Sequence, residues 1–192
     1  MMDPSKKTEE FYDMSPTKGV FYRKPLPEYL DYIGWISNSG FTGMKKLPHN
    51  GLFKSALPGG VNMAWRRDAV ANCPLAELYK RSKKGLWYEH LLAYCAKKRR
   101  YDTYGVRGPQ APTVWHIVNT QSLTRGRGFW HEFWVHYDRV ANYWRLKKLG
   151  AKVSVAAYIA ACMAMYPPSS GVAKINNCID GPVRWCKHGL AY

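Results

Sequence analysis

Acidic residues are scarce in this chain: 13 Asp and Glu stand against 29 Lys and Arg, a formal net charge of +16 over 192 residues. Self-repulsion on that scale disfavours a compact monomer in free solution. A polyanion relieves it, which points to RNA, to anionic headgroups such as those of cardiolipin, or to acidic proteins as partners. Cysteine is also sparse. Cys73, Cys95, Cys162, Cys178 and Cys186 are odd in number and irregularly spaced. Such a set is a poor disulfide framework and indicates a reducing or matrix-like compartment. The opening MMDPSKKTEEFYD holds four acids and no apolar stretch, unlike a secretory signal or an acid-poor, Arg-rich transit peptide. An organellar address is therefore expected to lie internally or to have been removed.

The signatures of catalysis are missing too. Gly126-Arg-Gly128 has neither the lysine of a phosphate loop nor the third glycine of a dinucleotide fingerprint. Cys178, Cys186 and His188 lack the paired spacing of a structural zinc site. His131 and His136 flank Glu132, but a spacing of five does not put both imidazoles on one helix face, as a metalloprotease requires. His90 beside Glu89 reads as a helix-surface pair, and no serine stands in a recognisable nucleophile turn. The expectation is a protein that is not an enzyme and needs no cofactor or metal.

What the chain has in excess is aromatic: 8 Trp, 14 Tyr and 6 Phe, in a composition whose 46% hydrophobic content is normal for a folded protein. Tryptophan and tyrosine join an apolar body to a polar tip and concentrate at protein interfaces and membrane boundaries. Together with the charge they indicate a surface that is covered in the working state, hence a subunit of a larger assembly.

Four regions are expected. Residues 1–62 read as an extended arm and loops, with Pro16, Pro25 and Pro27 preventing a long helix. One short helix is expected from Glu28 to Ile36, where Tyr29, Tyr32, Ile33 and Ile36 have helical spacing. Residues 37–62, rich in Gly, Pro, Ser and Asn, read as a long loop. Residues 63–128 read as helix and loop. A short helix lies between Met63 and Ala71, a longer one from Leu75 to Arg100 breaks near Gly85, and a strand-like run covers Thr113 to Val118. The third region is 129–166 and the fourth a C-terminal tail, 167–192.

The third region is the most informative. At helical spacing Trp130, Phe133, Trp134, Tyr137, Ala141 and Trp144 fall within about 100° of arc, the width of an apolar helix face. His131, Glu132, Asp138, Arg139 and Asn142 lie opposite. A stripe of this kind also suits a helix facing an ordinary core, although cores favour Leu, Ile and Val. Arg145, Lys147, Lys148 and Lys152 follow, and then Val153 to Tyr166, free of charge and stopped by Pro167-Pro168. Fourteen helical residues span about 21 Å, short of a hydrocarbon thickness of about 30 Å, and by length alone suit a buried soluble helix. Lysines able to snorkel, Tyr166 at an interfacial level, and Ala156, Ala160 and Ala164 at the four-residue spacing of close helix contact favour embedding in lipid. The region is thus expected to be an amphipathic aromatic helix followed by a short transmembrane or membrane-embedded helix, in a mostly α chain.

Gly126-Arg-Gly128, the run FWHEFWVHYDRVANYW from Phe129 to Trp144, Lys147-Lys148-Leu-Gly150 and the Ala-rich Val153 to Tyr166 together resemble subunit f of the mitochondrial ATP synthase membrane sector. The resemblance covers about forty residues and rests on compositional motifs; the long N-terminal extension and the Cys-containing tail depart from the family. It implies a single-pass inner-membrane subunit, structural, beside the proton-translocating ring and its stator. On this reading Arg145, Lys147, Lys148 and Lys152 bind anionic lipid such as cardiolipin. Trp130, Phe133, Trp134, Tyr137 and Trp144 pack on partner subunits or headgroups, and Ala156, Ala160 and Ala164 make helix–helix contact. The alternative is a basic protein of a mitochondrial ribosome, with Lys97 to Arg100 and Arg125 to Gly128 on RNA phosphates.

Overall fold

Most of the expected arm, residues 1–20 with Pro16, lies outside the described residues, but around Pro25 and Pro27 the chain forms only short turns and folds onto the core. The computed structural model describes residues 21–58, 63–109, 111–112 and 129–165. There, two single 3-10 turns, Phe21–Arg23 and Pro27–Tyr29, bracket Leu26, which is fully buried and donates its N–H to the Ile36 carbonyl at 2.9 Å. The helix expected over Glu28 to Ile36 gives way to strand β1, Gly34–Ile36. All three residues of β1 are buried, so no in–out alternation marks it as a strand. Tyr29, Tyr32 and Ile36 are nonetheless core residues.

The loop expected over 37–62 contains two more strands. β2, Thr42–Met44, runs antiparallel to β1, with Trp35 opposite Gly43. A Cβ on Gly43 would stand 2.6 Å from the Trp35 ring, so the indole can lie flat only across a glycine. β3, Gly51–Lys54, pairs antiparallel with β4, Tyr104–Arg107, Leu52 facing Val106. The segment Thr113 to Val118 lies outside the described residues, as does the tail with Cys178, Cys186 and His188. Among the described residues the architecture is therefore mixed, helices with two small two-stranded sheets, rather than mostly α.

Three helices separate β3 from β4: α1 (Arg67–Val70), α2 (Leu75–Tyr79) and α3 (Tyr88–Lys98). They follow the expected pattern, with the break at Gly85 (φ +67°). Lys97 and Lys98 sit in the last turn of α3, where cations offset the exposed carbonyls. Beyond it the N–H groups of Arg100 and Tyr101 return to the Lys97 and Ala96 carbonyls, with Arg100 in the left-handed conformation that usually selects glycine. Cys73, just after α1, is bonded to Cys95 within α3, Cα to Cα 5.6 Å. The irregular spacing of the cysteines thus conceals a disulfide that ties α1 and α2 to the central helix.

α4 (Phe129–Lys148) and α5 (Val155–Met165) complete the described chain. α4 ends at Gly150, whose φ of +90° lets the Gly150 and Ala151 N–H groups reach the Lys147 and Leu146 carbonyls. Ser154 caps α5, its Oγ accepting the Ala157 N–H at 3.3 Å. The core joins Leu26, Tyr29, Tyr32 and Trp35 of the N-terminal segment to Leu91 and Tyr94 of α3, to Leu146 of α4 and to Leu149 and Ala151 beyond it. α5 packs Ala157 and Ala161 inward, against the 3-10 turn at Phe21–Arg23. Eleven residues reach roughly 16 Å. Among the described residues no helix is long and apolar enough to cross a membrane, so the expected transmembrane helix finds no support.

Asp102 knots three of these parts together. Its carboxylate accepts from Lys97 Nζ at 2.5 Å and from the Tyr32 hydroxyl at 2.9 Å, and pairs with Lys54 at 2.9 Å. Those hydrogen bonds, Lys97's foremost, hold its carboxyl well below the usual carboxylate range. Burial in α3 pushes His90 down to about 4. Both shifts carry the same sign: the unfolded chain takes up the protons first, so stability falls with pH. We expect two stages: a loss from about pH 6.5 to 4 as unfolded His90 is protonated, and a second below about pH 4 from Asp102. Unfolding midpoints measured against pH should show both, and Asp102→Asn should flatten only the second.

Candidate functional site

The five-turn α4 places the sequence-defined stripe on the outside. Phe129 and Trp130 are each 67% exposed and Trp144 is 54% exposed; Phe133, Tyr137 and Val140 are exposed beside them. Trp134 and Ala141 lie half-buried at the edge of the arc. The rings touch in series, Trp130 to Phe133 at 5.8 Å, Phe133 to Trp134 at 4.9 Å and Trp134 to Tyr137 at 5.5 Å, edge to face throughout. The reading of the stripe as an ordinary core face is corrected.

The opposite side faces in, although it is rich in polar groups. His131, Asp138, Asn142 and Arg145 are buried with Val135 and Leu146. The loop after α2 is the reason. Asp138 is fully buried and accepts from the Ser82 hydroxyl at 2.8 Å and from the Lys84 and Lys83 N–H groups at 2.8 and 3.3 Å. Ser82 Oγ in turn accepts the Gly85 N–H at 2.8 Å. Arg145 stands 3.6 Å from Asp138, donates Nε–H to the Leu78 carbonyl at 3.0 Å and lies 4.0 Å over the Tyr79 ring. Buried charges persist only when paired and hydrogen-bonded. Asp138 meets both conditions, Arg145 is paired and bonded through Nε while its buried Nη1 has no hydrogen-bond partner, and together they fix the rotation of α4 that turns the rings outward. A lone Asp and a lone Ser 56 residues apart carry no sequence signal for this contact.

The basic cluster is divided. Arg145 is not available to a headgroup or phosphate, because it is buried on Asp138 and Tyr79. Lys148 is exposed but pairs with Glu77 at 2.5 Å. Lys147 is exposed, with Nζ 5.1 Å above the Trp144 ring, and Lys152 is exposed. Lys83 lies 5.1 Å over Trp134 at the other edge of the stripe. The alanines of α5 divide between two sides. Ala157 and Ala161 make the close contact, whereas Ala156 and Ala164 are exposed and Ala160 is half-buried. The outward side of α5 shows Val155, Ile159 and Met163.

No described group of three His, Cys, Asp or Glu is arranged to hold a metal ion. His131 is buried and His136 half-buried on α4, where burial and Arg139 lower the His136 pKa. The described surface of α4 presents a row of rings with lysines at its margins. Compared with protein-family models, curated proteins and solved structures, this chain matches none.

Proposed function

We propose that the chain is a non-catalytic, structural subunit of a multi-protein membrane complex, and that this complex is the mitochondrial ATP synthase membrane sector at the inner membrane. The observation that carries the structural role is the outward aromatic face of α4. Its polar side is consumed in folding the chain and its rings are left for something else. Contiguous exposed apolar surface on that scale marks a site of association. Trp, Tyr and Phe are the residues that supply most interface energy once desolvated. The choice of complex rests on the resemblance of Phe129 to Tyr166 to subunit f, and the outward Val155, Ile159 and Met163 supply further apolar surface for its neighbours or for lipid.

The test is a native gel of mitochondria solubilised in mild detergent, run before and after nuclease. The tagged chain is expected to migrate with the ATP synthase in both lanes. Migration with a ribosomal particle, abolished by nuclease, would assign the chain to the RNA-contacting alternative and overturn the proposal.

A further inference from the structure

From Phe129 to Trp144 the outward arc of α4 extends roughly 22 Å and shows Phe129, Trp130, Phe133, Tyr137, Val140 and Trp144. By helical spacing neither acid of the helix, Glu132 or Asp138, falls on that arc. Exposed cations stand at its C-terminal end, Lys147 and Lys148, and Lys152 follows at the entrance to α5. α5 itself contains no charged residue.

Three occupants of such a face can be compared by their chemistry. A second copy would bring another +16 against the first, an unfavourable pairing in water. A single-stranded nucleic acid stacks on aromatic rings but needs cations tracking its phosphates along the whole path. Here the arc has none between Phe129 and Trp144, and Lys83 touches only its edge at Trp134. An anionic bilayer needs what is present: rings that settle at the boundary between headgroup and acyl chain, and lysines at the phosphates beside them.

We propose that α4 docks lengthwise on an anionic phospholipid bilayer, with Trp130, Phe133, Tyr137 and Trp144 at the headgroup–acyl boundary and Lys147 and Lys152 at the lipid phosphates. The helix lies in the interface instead of crossing it, in keeping with the absence of a described helix fit to span. The inference rests on the membrane-complex reading above and names the lipid contact within it.

The experiment is flotation of the full chain, synthesised cell-free in the presence of vesicles of phosphatidylcholine alone or of phosphatidylcholine with phosphatidylglycerol. The chain is expected to float with the anionic vesicles at least about tenfold more than with the neutral ones, and less as salt is raised. Trp130→Ser with Trp144→Ser should lower that flotation about tenfold. Both positions face outward, so the protease-resistant fragments should match those of the parent. Lys147→Gln with Lys152→Gln should lower it on anionic vesicles alone. Undiminished flotation of the tryptophan variant, equal flotation on both compositions, or tighter retention on poly(U) at the same salt would each overturn the proposal. Failure to float by a chain that still migrates with the complex removes this inference only. Flotation as expected by a chain absent from the complex removes the assembly reading instead.

Discussion

Asp138→Ala is expected to lower the stability of the chain by about 3–5 kcal/mol, the effect of removing one member of a buried ion pair. The carboxylate has no exposed surface. Its loss leaves the Arg145 guanidinium inside without its counter-charge and removes the acceptor for Ser82, Lys83 and Lys84. Asp138→Leu combined with Arg145→Met should be much less damaging than the sum of the two single changes, because no unpaired charge then stays buried. Urea unfolding of the four proteins, followed by far-ultraviolet circular dichroism, measures this coupling. Additive effects would mean that the two groups are solvated independently, contrary to the geometry described above.

Cys73→Ser with Cys95→Ser, or reduction of the parent, should cost about 3 kcal/mol by the entropy of a loop of this size. The bond closes 22 residues that include α2, the Ser82–Gly85 loop and most of α3. Its loss should also loosen the seat of Asp138, which that loop forms. A unfolding transition that does not move on adding reductant would show that the two sulfurs are not joined in solution.

α4 and α5 are legible because each has a boundary written in its residues. Lysines and Gly150 close the first, and Pro167-Pro168 follows the second. The aromatic arc is legible as a face, but not which way it turns. Rings serve core and interface equally well, and the deciding contacts come from Ser82 and Leu78, more than fifty residues upstream. The strands escape notice because they are three or four residues long. β1 is buried throughout, and Tyr29, Tyr32 and Ile36 mimic a helical repeat by coincidence of turn and strand. Cys73 and Cys95 meet only because α3 folds back past α1, which no spacing rule contains. Arg145 looks like one of four surface cations, and only the neighbouring Tyr79 ring and Asp138 show otherwise.

Because α4 keeps Asp138, Asn142 and Arg145 on one side and Trp130, Phe133, Tyr137 and Trp144 on the other, inherited damage to this helix should sort into two phenotypes. Changes on the inward side reduce how much protein a cell retains, since a less stable chain is cleared by proteases. Changes on the outward side, away from the buried contacts, should leave the fold intact and bear on whatever the rings meet.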